Sequence, residues 1–383
     1  MPFDPNPFFY FHSSALDFFH SIISINKNKE MKARIITINP QHPQAELLQP
    51  AAAALRQGKL IAFPTETVYG LGSNALDRQA VERIFTAKNR PAYDPLIVHL
   101  AATDWLPQVA SDIPALVWKC AEAFLPGPLT LIVPKHPAVP DNVTAQRPTV
   151  AVRIPAHPVA LALINAAQVP VAAPSANRFG HVSPTCAQHV LNDLGDQIDY
   201  LIDGGDTAIG IESTVLDLTA PLPTILRPGG VTYEQLTNVL GEVAIAAHAA
   251  TSENPLSPGM LPQHYSPRAD LLYIEIPNRS AALDMIKQIT DDALQQGISI
   301  GLLLVEEDLK LFNGIPAQQA SLGSETNLWQ AAQRLYAALR FLDDQGVSII
   351  LARDLGGLGP GLAIRDRLRR AAKKIIYDAE KPF

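Results

Sequence analysis

Six short polar clusters carry the chemistry open to this chain. In "PTETVYG" (64–70), Thr65 and Thr67 can offer hydroxyls at the end of an apolar run, and two glycines follow within "VYGLG". In "AKNRPAYDPLIVH" (87–99), Lys88 and Arg90 flank a turn set by Pro91, and His99 ends the next apolar run. Such a pair can hold phosphate oxygens, Arg as a planar fork and Lys as a point charge. In "TVAVRIP" (149–155), Arg153 sits among Val and Ile. A guanidinium in that setting requires an anion, either a side chain or a ligand carboxylate. "APSANRFGHVSPT" gathers Ser175, Asn177 and Ser183, "GIESTVLD" offers Ser213 and Thr214, and "LRPGG" places Arg227 before a glycine turn. Together these describe a groove with at least three cations and several hydroxyls. It suits a polyphosphate beside a small carboxylate.

Several chemistries are excluded. There is no GxxxxGK[ST] phosphate loop and no GxSxG elbow. No side chain stands beside a base as an activated nucleophile would. Ten histidines include no HExxH pair, and two cysteines, Cys120 and Cys186, cannot form a zinc cage or a disulfide framework. They fit reduced thiols in a cytoplasmic protein.

The elements that must position the clusters alternate. A helical pattern spans 44–57, with Pro50 expected either to break it in two or to sit in a first turn. "KLIAFPT" reads as a strand that then turns through Tyr-Gly-Leu-Gly, and "DRQAVERIFTAKN" as an amphipathic helix with Asp77 near its N-cap. "PLIVHL", "LTLIVPK", "TVAVRIP", "VPVAAPSAN", "YLIDGG", "STVLDLT" and "TILRPG" read as strands between helices. This alternation is that of an α/β sheet domain, with the polar clusters at strand ends, where such sheets hold ligands.

The chain has 383 residues, 47% of them apolar, enough for two domains. Its net charge of −7 is unlike that of a bulk nucleic-acid binder. Residues 1–30 are Phe- and Ser-rich and too interrupted for a signal peptide or a membrane span. They are expected to be a disordered extension, since Met31 opens "MKARIITINP" as an ordinary start would. A Pro- and Ser-rich stretch, 246–270, reads as a linker but contains Met260, His264 and Tyr265. Residues 271–383 read as a smaller Rossmann-like β/α unit. Its "GGLGPG" does not fit GxGxxG, and the arginines of "GLAIRDRLRRAAKKI" are expected on a solvated face.

The ordered set "FPTETVYGLG", "KNRPAYDPLIVH", "PGPLTLIVPK", "VAVRIP", "PSANRFGHVSPT", "GIESTVLD", "RPGG" and "SPGMLPQHYSP" resembles the threonylcarbamoyl-AMP synthase family in its long form. The resemblance runs from about Gly58 to the C-terminus. It implies a YrdC-like domain at 31–245, a twisted open sheet with a concave cleft, then the linker as a lid and the Rossmann-like domain. It implies synthesis of threonylcarbamoyl-AMP and pyrophosphate from L-threonine, bicarbonate and ATP with Mg2+. The product would supply a downstream tRNA threonylcarbamoyl transferase, with no membrane involved.

Carried over by position, the threonine site would use Thr67, His99, Arg153, Ala173 and Ser213. The ATP site would use Arg90, Asp94, Thr149, Ser175, Ser183, Arg227 and Tyr265. Lys88 and Arg90 would be catalytic, neutralising phosphate charge. Asp94 stands where relatives often have Asn, so it either helps hold magnesium or is structural. Ala173 stands where a hydroxyl is common, so contact there would be through backbone. No protein metal cage is implied. An RNA-binding accessory protein using the same cleft for double-stranded RNA or tRNA is the second reading; neither the acidic net charge nor the aromatic pattern favours it. A hydrogenase-maturation type carbamoyl transfer would need zinc-finger regions, and no CxxC occurs.

Overall fold

The computed structural model describes residues 32–246, 259, 261 and 263–377. The extension expected at 1–30 and linker residues 247–258, 260 and 262 lie outside the described residues. Among those described, no helix is long and apolar enough to cross a membrane.

The first sheet runs from β1 (Arg34–Thr37) through β2 (Ile61–Phe63), β3 (Gly70–Asn74), β4 (Ile97–His99), β5 (Leu129–Pro134), β6 (Thr149–Arg153), β7 (Val171–Ala172), β8 (Tyr200–Asp203), β9 (Thr214–Asp217) and β10 (Thr224–Arg227) to β11 (Ala244–Ile245). Their spatial order is β1-β8-β2-β3-β7-β4-β6-β5-β9-β10-β11, a mixture of parallel and antiparallel pairs. One face is covered by α1 (Ala45–Arg56), which packs on the later helix Pro158–Ala167 through Leu48, Leu55, Leu163 and Ile164.

Pro50 neither breaks α1 nor sits in its first turn; the helix is continuous across it. Proline there removes only the hydrogen bond to the Glu46 carbonyl, and both residues are on the exposed side, where water replaces it. The Tyr-Gly-Leu-Gly turn is also corrected. Gly70 and Gly72 belong to β3, antiparallel to β2. Glycine is required at 72 by packing: a Cβ would lie 2.6 Å from Val171 Cγ1 and 2.7 Å from a Phe63 ring carbon. Gly72→Ala is therefore expected to cost about 1–3 kcal/mol through overpacking, read as a lowered thermal midpoint.

The second sheet holds β12 (Asp270–Glu275), β13 (Ile300–Leu304), β14 (Gln318–Ser321), β15 (Ile349–Arg353) and β16 (Lys374–Tyr377), all parallel, in the order β14-β13-β15-β12-β16. This is the Rossmann-like β/α architecture, with β15 inserted between β13 and β12. Helix α2 (Arg279–Gln295) packs Ile286 and Ile289 on one face. Helices α3 (Leu328–Asp344) and α4 (Pro360–Ala371) pack Leu335, Leu339 and Ile364 on the other.

The basic helix α4 buries two of its four arginines, Arg367 and Arg370. Arg367 is 1% exposed, and Asp366 and Arg370 are buried with it. Arg367 pairs with its neighbour Asp366 at 2.5 Å and, beyond anything a local pattern shows, with Glu212 of the other domain, 2.8 Å from its Nε. Arg340 of α3 likewise pairs with Asp193 at 2.7 Å and donates to the Val182 carbonyl.

Candidate active site

The site is built on one face of β6. Alternation along a strand puts Thr149, Ala151 and Arg153 on the same side. Parallel pairing sets His99 of β4 beside Arg153 and Ile97 beside Ala151. Ile97, Ile132, Ala151, Val215 and Leu226 form an apolar floor, and the polar clusters stand around its end.

Arg153 is the centre of the threonine-side cluster. Its Nη1 donates to Thr67 Oγ1 at 3.0 Å, its Nε to the Gly127 carbonyl at 3.3 Å, and its Nη2 pairs with Glu66 at 2.6 Å. Nε and Nη1 each donate one hydrogen bond and Nη2 makes none beside its ion pair with Glu66, so each terminal nitrogen keeps an N–H for a ligand carboxylate. Thr67 is aimed by an ST-turn: Thr65 Oγ1 accepts from the Thr67 and Val68 N–H groups, donates to the Val68 carbonyl and lies 2.8 Å from Thr67 Oγ1. His99 is buried beside Arg153; burial first and that guanidinium second push its imidazole down to about 3, so it is neutral near pH 7. Its Nδ1 has no hydrogen-bond partner among the described residues.

Across the cavity, Arg227 donates to the Ser213 carbonyl at 2.9 Å and to Ser213 Oγ at 3.2 Å, and Ser213 Oγ lies 2.7 Å from Thr130 Oγ1. Arg90 pairs with Asp94 at 2.9 Å and donates to the Pro95 carbonyl at 2.9 Å. The described part of the linker covers the opening. Gly259, His264 and Tyr265 line the same cavity as Thr67, Arg90, His99, Arg153, Ala173, Ser175, Ser213 and Arg227. Gly259 must lack a side chain, since a Cβ would meet the Tyr265 hydroxyl at 2.4 Å, and its φ is +78°. Tyr265 itself holds a φ of +62°, stacks on Tyr336 and lies against the Arg367 guanidinium at 5.0 Å. Its hydroxyl has no hydrogen-bond partner among the described residues. The enclosed space is about 50 Å³.

Four expected site residues stand outside that cavity. Lys88 is buried, with Nζ donating to the Ser175 carbonyl at 2.6 Å and to the Asn177 carbonyl. Burial, then the charge of Arg90, pushes its ammonium well below the usual lysine range. It fixes the Ser175 loop rather than facing the cavity. Asp94 is spent on Arg90. Ser183 donates to Glu212 at 2.6 Å. Thr149 lies at the far end of β6, roughly 13 Å from Arg153 by strand rise.

Two carboxylates went unassigned from sequence. Glu66 is the counter-ion of Arg153, and it stood in plain view between Thr65 and Thr67. Glu212 lines the cavity and is held by Ser183, by the Tyr336 hydroxyl at 2.8 Å and by Arg367. Burial alone would push its carboxyl up, but Arg367, Arg227 and Ser183 hold it down at about 2. Glu212 lay inside "GIESTVLD", yet its partners are far along the chain and no local pattern marked it.

Two sequence families cover most of the chain. The one described as telomere recombination, which groups Sua5, YciO and YrdC, matches residues 53–229. The one described as threonylcarbamoyl-AMP synthase, C-terminal domain, matches residues 231–373. The threonylcarbamoyl-AMP synthase of Pyrococcus abyssi is 43% identical over 84% of this chain and 93% of its own length. This chain belongs to the threonylcarbamoyl-AMP synthase family. The synthase of that name from Bacillus subtilis is 43% identical over 84% of this chain and 92% of its own. The Schizosaccharomyces pombe protein of that name is 36% identical over 89% and 91%. The crystal structure of P. abyssi Sua5 complexed with L-threonine superposes with a TM-score of 0.85 at 42% identity, covering 90% of this chain and 99% of that one. A variant of the same archaeal protein with an adjacent His and Tyr both changed to Ala gives 0.84 at 41% identity, covering 92% and 100%. In this family member the YrdC-like domain supplies the cavity and the C-terminal domain supplies Tyr336 and Arg367 behind it.

Proposed function

We propose that the chain condenses L-threonine, bicarbonate and ATP into threonylcarbamoyl-AMP and pyrophosphate. The observation that carries this is the single cavity in which Arg153, Thr67 and His99 face Ser213 and Arg227, with Arg90 and Ser175 on its rim. The threonine carboxylate takes one N–H from each terminal nitrogen of Arg153, and Thr67 receives the substrate's polar side. The archaeal relative was solved in complex with L-threonine, which supports threonine as the substrate.

Threonine's amine adds to CO2 and loses a proton, giving a carbamate that is short-lived in water. A carbamate oxygen then forms a bond to the α-phosphorus, and the bond to the bridging oxygen of pyrophosphate breaks. The chain has no nucleophile to contribute and needs none. It aligns the two reactants and excludes water, an effect worth up to about 7–11 kcal/mol when alignment is good. Arg90 and Arg227 offset charge on the transferring and departing phosphates. Neutral His99 can orient the carbamate without adding charge.

Magnesium would be held mainly through the ATP phosphates, where it would supply charge neutralisation. Among the described residues no group of three potential metal ligands gathers. Asp94 is engaged by Arg90, and Glu212 by Ser183, Tyr336 and Arg367. No step is assigned to a protein-held metal. The product's consumer is a tRNA threonylcarbamoyl transferase.

The 50 Å³ cavity is far below the ~300–1,000 Å³ of ordinary ligand sites, so ATP requires Tyr265 and its neighbours to swing away. The strained φ of Tyr265 and its unpaired hydroxyl both support a lid that closes on the nucleotide. Tyr265→Phe is expected to raise the KM for ATP by about tenfold, the value of one hydrogen bond to a charged group. Unaltered kinetics would remove Tyr265 from the nucleotide site.

Lys88→Met leaves two loop carbonyls without their donor, at about 1–3 kcal/mol each. The Ser175 loop then drifts, and turnover is expected to fall at least about tenfold. Wild-type turnover in that variant would dismiss the role. The reading as a whole is tested by incubating the protein with ATP, bicarbonate and magnesium and measuring pyrophosphate. Release that does not depend on L-threonine, or no release, would defeat it.

A further inference from the structure

A second cavity, of about 690 Å³, opens in the C-terminal domain, away from the site just described. It lies at the carboxyl ends of β12, β15 and β16, and Glu275, Arg353 and Tyr377 mark those three ends. β12 and β15 are adjacent and parallel. The chain leaves β12 through α2, which packs on one face of the sheet with Ile274 and Leu302. It leaves β15 through α4, which packs on the other face with Tyr273 and Leu303. Adjacent strands whose connections depart to opposite faces leave a crevice between their ends, and open α/β sheets place ligands there. The volume falls within the range of small-molecule sites.

The chemistry of the walls is uneven. Each carboxylate is paired with an arginine. Asp354 accepts two bonds from Arg365, at 2.9 and 2.6 Å, and one from Tyr273 at 2.6 Å. Glu275 accepts two bonds from Arg369. Glu325 pairs with Arg353 at 2.6 Å and lies 3.6 Å from Arg279. The guanidiniums are not saturated. Arg279 uses Nε and Nη2 on Asp308, and Arg365 uses Nε and Nη2 on Asp354. The Nη1 group of each makes no hydrogen bond among the described residues. Arginine keeps its charge at any physiological pH, so these are permanent donors. Both line the crevice, one at the start of α2 and one on α4, and Gly356 lines it too.

We propose that this crevice binds a small oxyanion-bearing metabolite, of the phosphate-monoester or carboxylate class, held between Arg279 and Arg365. The site is separate from the catalytic cavity, and the inference stands whether or not the proposed reaction is correct.

The test titrates the full chain calorimetrically with two probes, inorganic phosphate and malonate, which distinguish the two oxyanion sources. Wild type, Arg279→Gln, Arg365→Lys and Arg90→Ala are compared. Arg90 lines the catalytic cavity and not the crevice, so its variant weakens phosphate bound in that cavity alone. Binding of either probe is expected to persist in Arg90→Ala and to weaken about tenfold or more in Arg279→Gln, the loss of one charge-assisted contact. Arg365→Lys keeps the charge beside Asp354 but loses the fork; it is expected to weaken binding in the same direction, and it serves should Arg279→Gln fail to fold. The proposal is overturned if neither probe binds at ~10 mM. It is equally overturned if binding disappears with Arg90→Ala, or if both crevice variants bind as wild type.

Discussion

Arg153→Ala is expected to abolish threonine-dependent pyrophosphate release, a loss of at least about a hundredfold in kcat/KM for threonine. The expectation follows from what the guanidinium touches. It is 4% exposed, it aims Thr67, and it cancels the Glu66 carboxylate at 2.6 Å. Removing it leaves Glu66 buried beside an empty space, which costs about 3–5 kcal/mol in addition to the lost substrate contact. Misfolding would mimic loss of binding, so Arg153→Lys is the informative partner. Lysine keeps a charge for Glu66 but cannot offer two parallel N–H groups. The Lys variant should stay folded by circular dichroism and show a raised KM for threonine with the KM for ATP little changed. Normal threonine turnover in either variant would take Arg153 out of the substrate site.

Arg367→Met is the second large effect, and it originates in the other domain. Arg367 donates to Glu212 at 2.8 Å and to the Pro228 carbonyl at 3.0 Å, and it faces the Tyr265 ring. Its removal strands a buried carboxylate on the wall of the catalytic cavity. The expected cost is about 3–5 kcal/mol, or roughly 6–20 °C in Tm. Because Glu212 and Tyr265 shift together, the KM for ATP should rise as well. A double variant with Glu212→Gln should recover part of the stability, since the unpaired charge is then gone.

The pH dependence separates this from a general packing defect. The Glu212 carboxyl is held at about 2 in the folded protein, against an ordinary value of 4.5. A depressed carboxyl contributes stability that is complete above its unfolded pKa and is lost as pH falls through the folded one. The wild type should therefore lose this contribution between about pH 4.5 and 2. Arg367→Met should lose less over the same interval, because its Glu212 is no longer held down. Acid titration of thermal stability in both proteins measures the difference. Parallel acid limbs would mean that Arg367 does not control Glu212.

The alternation of strand and helix was legible from periodicity, and so was the gathering of polar residues at strand ends. Arg153 announced itself, because a charge inside "VAVRIP" has no bland explanation. Lys88 was legible as important but not as what it is. Sequence shows a cation two residues from Arg90, whereas only packing reveals that its Nζ is turned inward to two carbonyls. Asp94 and Ser183 followed the same course: each is held by a protein partner, Arg90 and Glu212, while Thr149 stands at the other end of β6 from Arg153. The arginines of α4 misled most. A helix rich in Arg and Asp looks solvated when read alone, and its burial depends on a carboxylate 155 residues away.

By itself, the sequence determined which atoms are available: the guanidiniums, the hydroxyls, the glycine at 72 and the apolar runs that become strands. These are local properties, set by side-chain chemistry and by spacings of a few residues. Tertiary structure alone decided which charges meet. It joined Glu66 to Arg153 and Glu212 to Arg367, brought Tyr265 to the wall of the cavity, and set Arg279 and Arg365 along one crevice. The reason is that the energy of a buried charge is settled by its partner, and the partner is chosen by the folding of distant segments against one another.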